Sequence, residues 1–335
     1  MPLTSKEVHL LSRPKGEPTP DLFKIASVEL PDPQPGEALV QNLYISVDPY
    51  MRGRMNDTKS YVPPFELGKP MQGSAIGRVI QSKDSSLAEG TLVSSFFGWR
   101  EAFVAPAKTL QTIDTQGAPV AAFLGALGMT GLTAWAGLFK IGALQDGETV
   151  FISAAAGAVG SVACQLAKLH GCRVIASAGS VEKIAFLKDE LKVDYAFDYH
   201  DGDPLEHLQK AAPEGIHVYF DNTGGPQLEA AISSLQNHGR IILCGAIAGY
   251  NKPMPGPRNL HSAIGKRLRL QGFIVSDFIG DLAEFHKEAI PALASGTLLN
   301  NETIVEGIDA APAAFLSLLN SGDKHIGKLV VHVGD

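Results

Sequence analysis

A chain of 335 residues exceeds one small domain, and 45% hydrophobic against 19% charged residues places it among folded globular proteins. Its net charge of -7 argues against a sequence-independent grip on nucleic acid, which needs a basic surface. Residues 1–20 scatter charges and prolines, so no signal peptide is expected; no stretch reaches the apolar length of a membrane helix, and the cytoplasm is the expected compartment.

The first 120 residues read as short strands broken by proline and glycine, at 37–45, 74–81 and 92–97, which predicts a compact β-rich unit. The small-residue and leucine-rich run 118–138 predicts helix despite its glycines, and marks passage into a second unit. From Glu148 strand and helix alternate, as in a parallel sheet with covering helices. Strands are predicted at 149–153, 172–177, 218–221, 241–244 and 268–275, with helices at 159–169, 181–191, 227–235 and 282–294. A last helix at 310–319 precedes a strand at 328–333 that returns to the first unit. The fold class predicted is α/β: a doubly wound parallel sheet of the Rossmann type plus a β-rich domain.

Directly after the strand 149–153 comes Ala154-Ala155-Ala156-Gly157-Ala158-Val159-Gly160, followed by a helix. Aligned on the three-glycine dinucleotide pattern, Ala155 takes the first position and Gly157 and Gly160 the other two. Gly157 lets the backbone approach a pyrophosphate, Gly160 lets the helix pack close to the strand, and the helix N-terminus favours the anion. A tight packing turn is the plainer alternative.

The next strand end decides which dinucleotide is expected. Sites that prefer NAD commonly hold a carboxylate there for the ribose hydroxyls. Here the chain runs Val174-Ile175-Ala176-Ser177-Ala178-Gly179-Ser180, without an acid. Ser180 and, one helical turn on, Lys183 can meet a 2′-phosphate, so NADP is expected. Two later strand ends, Asp221-Asn222-Thr223-Gly224-Gly225 and the segment 244–250, offer small residues for a flat ring, or are ordinary turns.

Zinc catalysis would need thiolate, imidazole or carboxylate ligands converging from the first unit, yet residues 1–120 hold no cysteine and only His9. No metal is expected. Cys164, Cys172 and Cys244 sit in apolar patterns and read as small buried hydrophobes.

Ser46-Val47-Asp48-Pro49-Tyr50-Met51-Arg52, Gly128-Met129-Thr130-Gly131-Leu132-Thr133-Ala134, the turn 154–161, the segment 221–225 and the segment 245–251 together resemble the zinc-independent prostaglandin reductase and alkenal double-bond reductase family of medium-chain dehydrogenases and reductases. The likeness spans nearly the whole chain. It implies a GroES-like catalytic domain of residues 1–123 and 296–335, with a Rossmann NADP-binding domain of residues 124–295 between them. It implies cofactor contacts from Ala158, Val159, Gly160 and Ser161, from Lys183 and Tyr199 at the 2′-phosphate, and from Asn222. Cys244, Gly245, Ala246, Ile247, Tyr250, Phe273, Ile274 and Val275 are implied beside the nicotinamide and its ribose. Where the family has asparagine two residues before Gly-Lys, this chain has His325.

Without a metal an alcohol is a poor hydride donor, whereas a conjugated carbonyl takes hydride at its β-carbon and leaves charge on an oxygen that fixed donors can hold. An enone or enal is therefore the expected acceptor, with Tyr250 as first candidate donor and Tyr50 as second; the alternatives are a ribose contact for Tyr250 and a pocket wall for Tyr50. Phe96, Phe97, Trp99 and Met129 can line a pocket or fill a core, and the proline-rich run 253–258 reads as a semi-rigid loop. Quinone reduction, or nucleotide binding without turnover, are the competing functions. A homodimer paired through an edge of the cofactor sheet is expected by analogy.

Overall fold

The computed structural model describes residues 3–319 and 325–334. Its described residues form two compact units: 3–124 with 302–319 and 329–334, and 125–301 with 325–328.

The first unit begins with an antiparallel pair, β1 (Thr4–Leu10) and β2 (Phe23–Glu29). Then follow β3 (Glu37–Ser46), the single-turn helix α1 (Met51–Arg54), β4 (Ala75–Ser82), β5 (Leu92–Ser95), β6 (Ala102–Pro106) and β7 (Gln111–Thr112). β3 is the hub of the larger sheet: Val40, Leu43 and Ile45 are buried, and it pairs antiparallel with both β4 and β6. Gly77 of β4 lies so close to it that an added Cβ would stand 2.6 Å from the Gln41 carbonyl oxygen.

In the second unit, α2 (Met129–Trp135) is shorter than the run 118–138 suggested, and residues 136–141 continue it with the wider winding of a π-helix. Its glycines allow close approach. A Cβ on Gly131 would meet the Ala126 carbonyl oxygen at 2.0 Å, and one on Gly137 would meet the Phe220 ring at 2.5 Å. The alternation then runs β8 (Thr149–Ile152), α3 (Ala158–Leu169), β9 (Arg173–Ala178), α4 (Val181–Asp189), β10 (Tyr195–Asp198), α5 (Pro204–Ala211), β11 (Ile216–Asp221), α6 (Gly225–Ser234), β12 (Leu235–Leu243), α7 (Ser262–Lys266), β13 (Arg269–Gly272) and α8 (Leu282–Ala294). All six strands are parallel, in the order β10-β9-β8-β11-β12-β13. The order reverses between β8 and β11, which makes their carboxyl ends a topological switch point. β13 stops at Gly272, so the strand expected to reach 275 is shorter, and residues 275–281 wind as a 3-10 helix.

The chain returns to the first unit with β14 (Glu302–Glu306), α9 (Ala311–Leu318) and β15 (Lys328–His332). β15 pairs antiparallel with β3 and completes the sheet order β14-β15-β3-β4-β5-β7. Trp99 is wholly buried there, edge-on to Phe315, and Phe97 stacks on Phe103 at 4.7 Å; of the candidate pocket aromatics in this unit, only Phe96 is exposed. Met129, in the second unit, is also exposed.

Candidate cofactor site

The turn between β8 and α3 leaves backbone N–H groups open at a helix N-terminus. Ala154 carries the left-handed φ of 47°, so the strained corner stands one residue earlier than the glycine alignment placed it. The Ala155 N–H donates to the Ser177 carbonyl at 2.9 Å, tying the turn to β9. Gly157 caps α3, and no side chain does so. Because the first bond across that end runs from Ser161 N–H to Gly157 O at 2.9 Å, the N–H groups of Ala158, Val159 and Gly160 have no intrahelical acceptor. A Cβ at Gly157 would meet only the Ala154 oxygen at 3.2 Å, whereas one at Gly160 would stand 2.4 Å from that oxygen and 2.7 Å from Ala155 Cα. Gly157 thus opens a cradle that a side chain would fill, and Gly160 is a packing glycine. Ser161 is buried, with its hydroxyl 3.4 Å from the Ala158 oxygen.

Two residues after His325, the chain meets this turn. Gly327 bridges Gly157 in parallel, and its N–H donates to the Ala156 oxygen at 2.8 Å. Its φ of 72° and the 2.0 Å that would separate a Cβ from the Asn301 oxygen make glycine necessary there.

At the ends of β9 and β10, Ser180 caps α4 and accepts the Lys183 N–H at 3.3 Å, with Lys183 half-buried and Glu182 exposed. The Tyr199 ring lies over Gly179, where a Cβ would approach it to 2.8 Å, and packs on His200 at 4.1 Å. Ser180, Lys183 and Tyr199 therefore gather beside two adjacent strand ends. An acid does stand at the end of β10: Asp198, held by His200 Nδ1 at 2.9 Å.

The switch point carries a residue that the motif reading passed over. Asp221, buried at the end of β11, accepts on Oδ1 from the Tyr219 hydroxyl at 2.8 Å, Thr223 N–H at 2.9 Å and Gly224 N–H at 2.7 Å. Its backbone oxygen takes the N–H groups of Cys244 and Gly245 at 2.9 and 3.0 Å. One residue thus shapes both strand-end loops. Burial raises its pKa against the pull of those donors. Asn222 donates its side-chain amide to the Ser153 oxygen at 2.7 Å and takes Ile247 N–H on its own carbonyl at 3.3 Å. The signal available in sequence was an acid immediately before Asn-Thr-Gly-Gly.

Burial first, then the charge of Asp221, pushes the Cys244 thiol up to about 12, so it is not a nucleophile at neutral pH. Cys164 and Cys172 are buried, their thiols raised by desolvation. Tyr250 is half-buried; burial raises the pKa of its hydroxyl, and the nearby Ala246 N–H opposes that rise. Phe273, Ile274 and Val275 are half-buried just beyond β13, with Phe273 against the Gly137 turn. The proline-rich loop is pinned by Met254, whose sulfur would lie 2.8 Å from a Cβ on Gly225, and by Arg258, whose Nη2 meets Glu229 at 3.0 Å. Tyr50, the second candidate donor, stands in the other unit at the start of α1.

The family model for the N-terminal domain of oxidoreductases matches residues 6–113, and that for zinc-binding dehydrogenases matches residues 158–295. The Bacillus subtilis (strain 168) protein YfmJ is 44% identical over 340 residues, covering 100% of this chain and 99% of its own. The NADP-dependent 2-alkenal reductase of Nicotiana tabacum is 37% identical over 338 residues, covering 99% of this chain and 98% of its own. The chain belongs to the prostaglandin reductase and alkenal double-bond reductase family. This family member also superimposes on the NADPH complex of CurA from Vibrio vulnificus with a TM-score of 0.92 and 37% identity, over 98% of this chain and 99% of that one. It is an NADP-dependent oxidoreductase. Despite the name of the second model, no group of three or more His, Cys, Asp or Glu that could hold a metal ion occurs among the described residues of this reductase.

Proposed function

We propose that the enzyme reduces the carbon-carbon double bond of an α,β-unsaturated ketone or aldehyde. NADPH bound at the α3 cradle supplies the hydride. Ala158, Val159 and Gly160 hold the pyrophosphate through backbone N–H groups, Ser180, Lys183 and Tyr199 meet the 2′-phosphate, and Asn222, the segment 244–250 and the segment 273–275 seat the ring and its ribose.

The observation that carries this reading is the state of the Tyr250 hydroxyl. Half-buried, it keeps a proton that can be donated to an acceptor oxygen as charge develops there. With its pKa above the ordinary phenol value, Tyr250 stays protonated at neutral pH. A relative at 37% identity named for 2-alkenals, which are conjugated carbonyls, supports this choice of acceptor. β13, an outer strand of the six-stranded sheet, supports pairing into a homodimer. No helix among the described residues is long and apolar enough to cross a membrane, which accords with a cytoplasmic location.

NADPH oxidation measured across enals, enones, quinones and simple ketones, with products identified, tests the proposal. The saturated carbonyl is expected as product. Alcohol from the enones, or turnover with quinones alone, refutes it.

A further inference from the structure

Beside the residues that would meet a 2′-phosphate stands an acid. β10 ends on Asp198, which pairs in register with Ala178 at the end of β9, and the next residue, Tyr199, donates its N–H to the Ala178 oxygen at 3.1 Å. The Tyr199 ring lies over Gly179, directly before the Ser180 cap of α4, so Asp198, Tyr199 and Ser180 stand on two adjoining strand ends. A carboxylate in such a place repels a phosphate and attracts ribose hydroxyls, which favours NAD over NADP. Its charge acts on the nearest of these groups: burial first, then Asp198, raises the Tyr199 hydroxyl above the ordinary phenol value.

His200 answers that charge. Asp198 Oδ1 accepts the His200 backbone N–H at 3.0 Å and its ring at 2.9 Å; a carboxylate only accepts, so Nδ1 carries the proton of that bond. Among the described residues no other basic group stands within ion-pair distance of Asp198. The Asp198 side chain is 15% exposed and that of His200 51%, so the carboxylate is largely withdrawn from water while the imidazole can take a second proton from it. Packing fixes the imidazole, whose centroid lies 4.1 Å from that of the Tyr199 ring. Histidine gains its positive charge near neutral pH, and a phosphate arriving beside the pair favours the charged form.

We propose that His200 sets the choice of dinucleotide: its imidazolium cancels the Asp198 carboxylate and so lets the end of β10 lie beside the 2′-phosphate of NADPH. His200 acts through Asp198, as a positioning residue, and does not touch the cofactor. This rests on the reading that Ser180, Lys183 and Tyr199 meet the 2′-phosphate.

The test is a double-mutant cycle on cofactor binding. Dissociation constants for NADPH and NADH are read by fluorescence titration at low salt in the wild type, His200→Ala, Asp198→Asn and the double variant, with Lys183→Ala as reference. His200→Ala is expected to weaken NADPH binding about threefold to fivefold, the scale of a partly exposed ion pair, while NADH binds as tightly as before or more tightly. In the Asp198→Asn background the same change is expected to cost less than about 1.5-fold, since no charge is left to cancel. Packing does not respond to ionic strength, whereas a charge effect does, so the loss in His200→Ala should shrink below about twofold in about 0.5 M salt. Equal losses with and without the Asp198 charge overturn the proposal, as does a loss shared by NADH or one that salt leaves unchanged. The Lys183→Ala arm separates the proposal from the reading beneath it. If that variant weakens NADPH and NADH alike, the 2′-phosphate is not held at these strand ends and both fall; if it weakens NADPH alone while His200→Ala weakens neither, only the role of His200 fails.

Discussion

The two glycines of the α3 turn can be separated by one methyl group each. At Gly160 an added Cβ would be driven to 2.4 Å from the Ala154 oxygen and 2.7 Å from Ala155 Cα. Both are backbone atoms, so no flexible side chain can yield, and overpacking of this kind costs roughly 1–3 kcal/mol. At about 2–4 °C per kcal/mol for domains of this size, Gly160→Ala should lower the melting temperature by a few degrees to about ten. At Gly157 the φ of -82° suits alanine, and the single contact is 3.2 Å, so the fold should lose no more than the ~0.5–1 kcal/mol of a weakened helix cap. The new methyl would instead fill the space before the open N–H groups, where hydrogen bonds to phosphate are worth about 1.5–3 kcal/mol, and NADPH affinity should fall about tenfold or more. Melting curves with and without NADPH read both effects. NADPH at a hundred times the wild-type Kd stabilises by about 2.7 kcal/mol; a tenfold weaker site gains only about 1.4 kcal/mol, so the NADPH-induced shift of Gly157→Ala should be halved. Gly160→Ala should melt early yet keep most of its shift. A full NADPH shift in Gly157→Ala, or equal early melting in both variants, would refute the assignment of cradle to one glycine and packing to the other.

Tyr250→Phe keeps the ring and removes the hydroxyl; losing one such donor costs roughly 2.7–4 kcal/mol, so single-turnover hydride transfer should fall about a hundredfold or more with NADPH affinity little changed, and an unchanged rate would remove Tyr250 from the chemistry. Lys183→Ala should weaken NADPH binding on the order of tenfold to a hundredfold while leaving NADH binding near its starting value, and equal losses would mean that Lys183 does not read the 2′-phosphate. Prolonged chelation should leave activity unchanged; stoichiometric zinc lost together with activity would contradict this. Sedimentation at micromolar concentration should report about twice the chain mass, and a single chain would rule out pairing through β13.

The alternation from Glu148 onward could be read from the chain because each buried strand is a short apolar run and each helix follows at its own period: 159–169 was expected where α3 spans Ala158–Leu169, and 282–294 coincides with α8. Some missed elements have a weak local pattern, although β1 and α5 do not. β2 has no fully buried residue, and β10 and β14 are only four and five residues long. The cradle was legible as well, since a glycine with a helix behind it is a local signal. That the strained corner falls on Ala154 was not, because its left-handed backbone is imposed by the bond from Ala155 to β9.

By itself the sequence determined the alternation of strand and helix from Glu148, the two-glycine turn, the acid-free end of β9 and the lack of cysteine and near-lack of histidine in residues 1–120, all of them properties of neighbours along the chain. Tertiary structure alone decided what separated residues do together. It carried Gly327 to Gly157, 170 positions away in the chain, at the turn between β8 and α3. It made Asp221 the shared anchor of two loops, through bonds that reach Cys244 and Gly245 just beyond the neighbouring strand β12. It also buried Arg54 against the backbone of Pro63 and Gln72, with no acid among the described residues to match it. Burial and counter-charge depend on what packs around a side chain in three dimensions, and composition and spacing do not encode that.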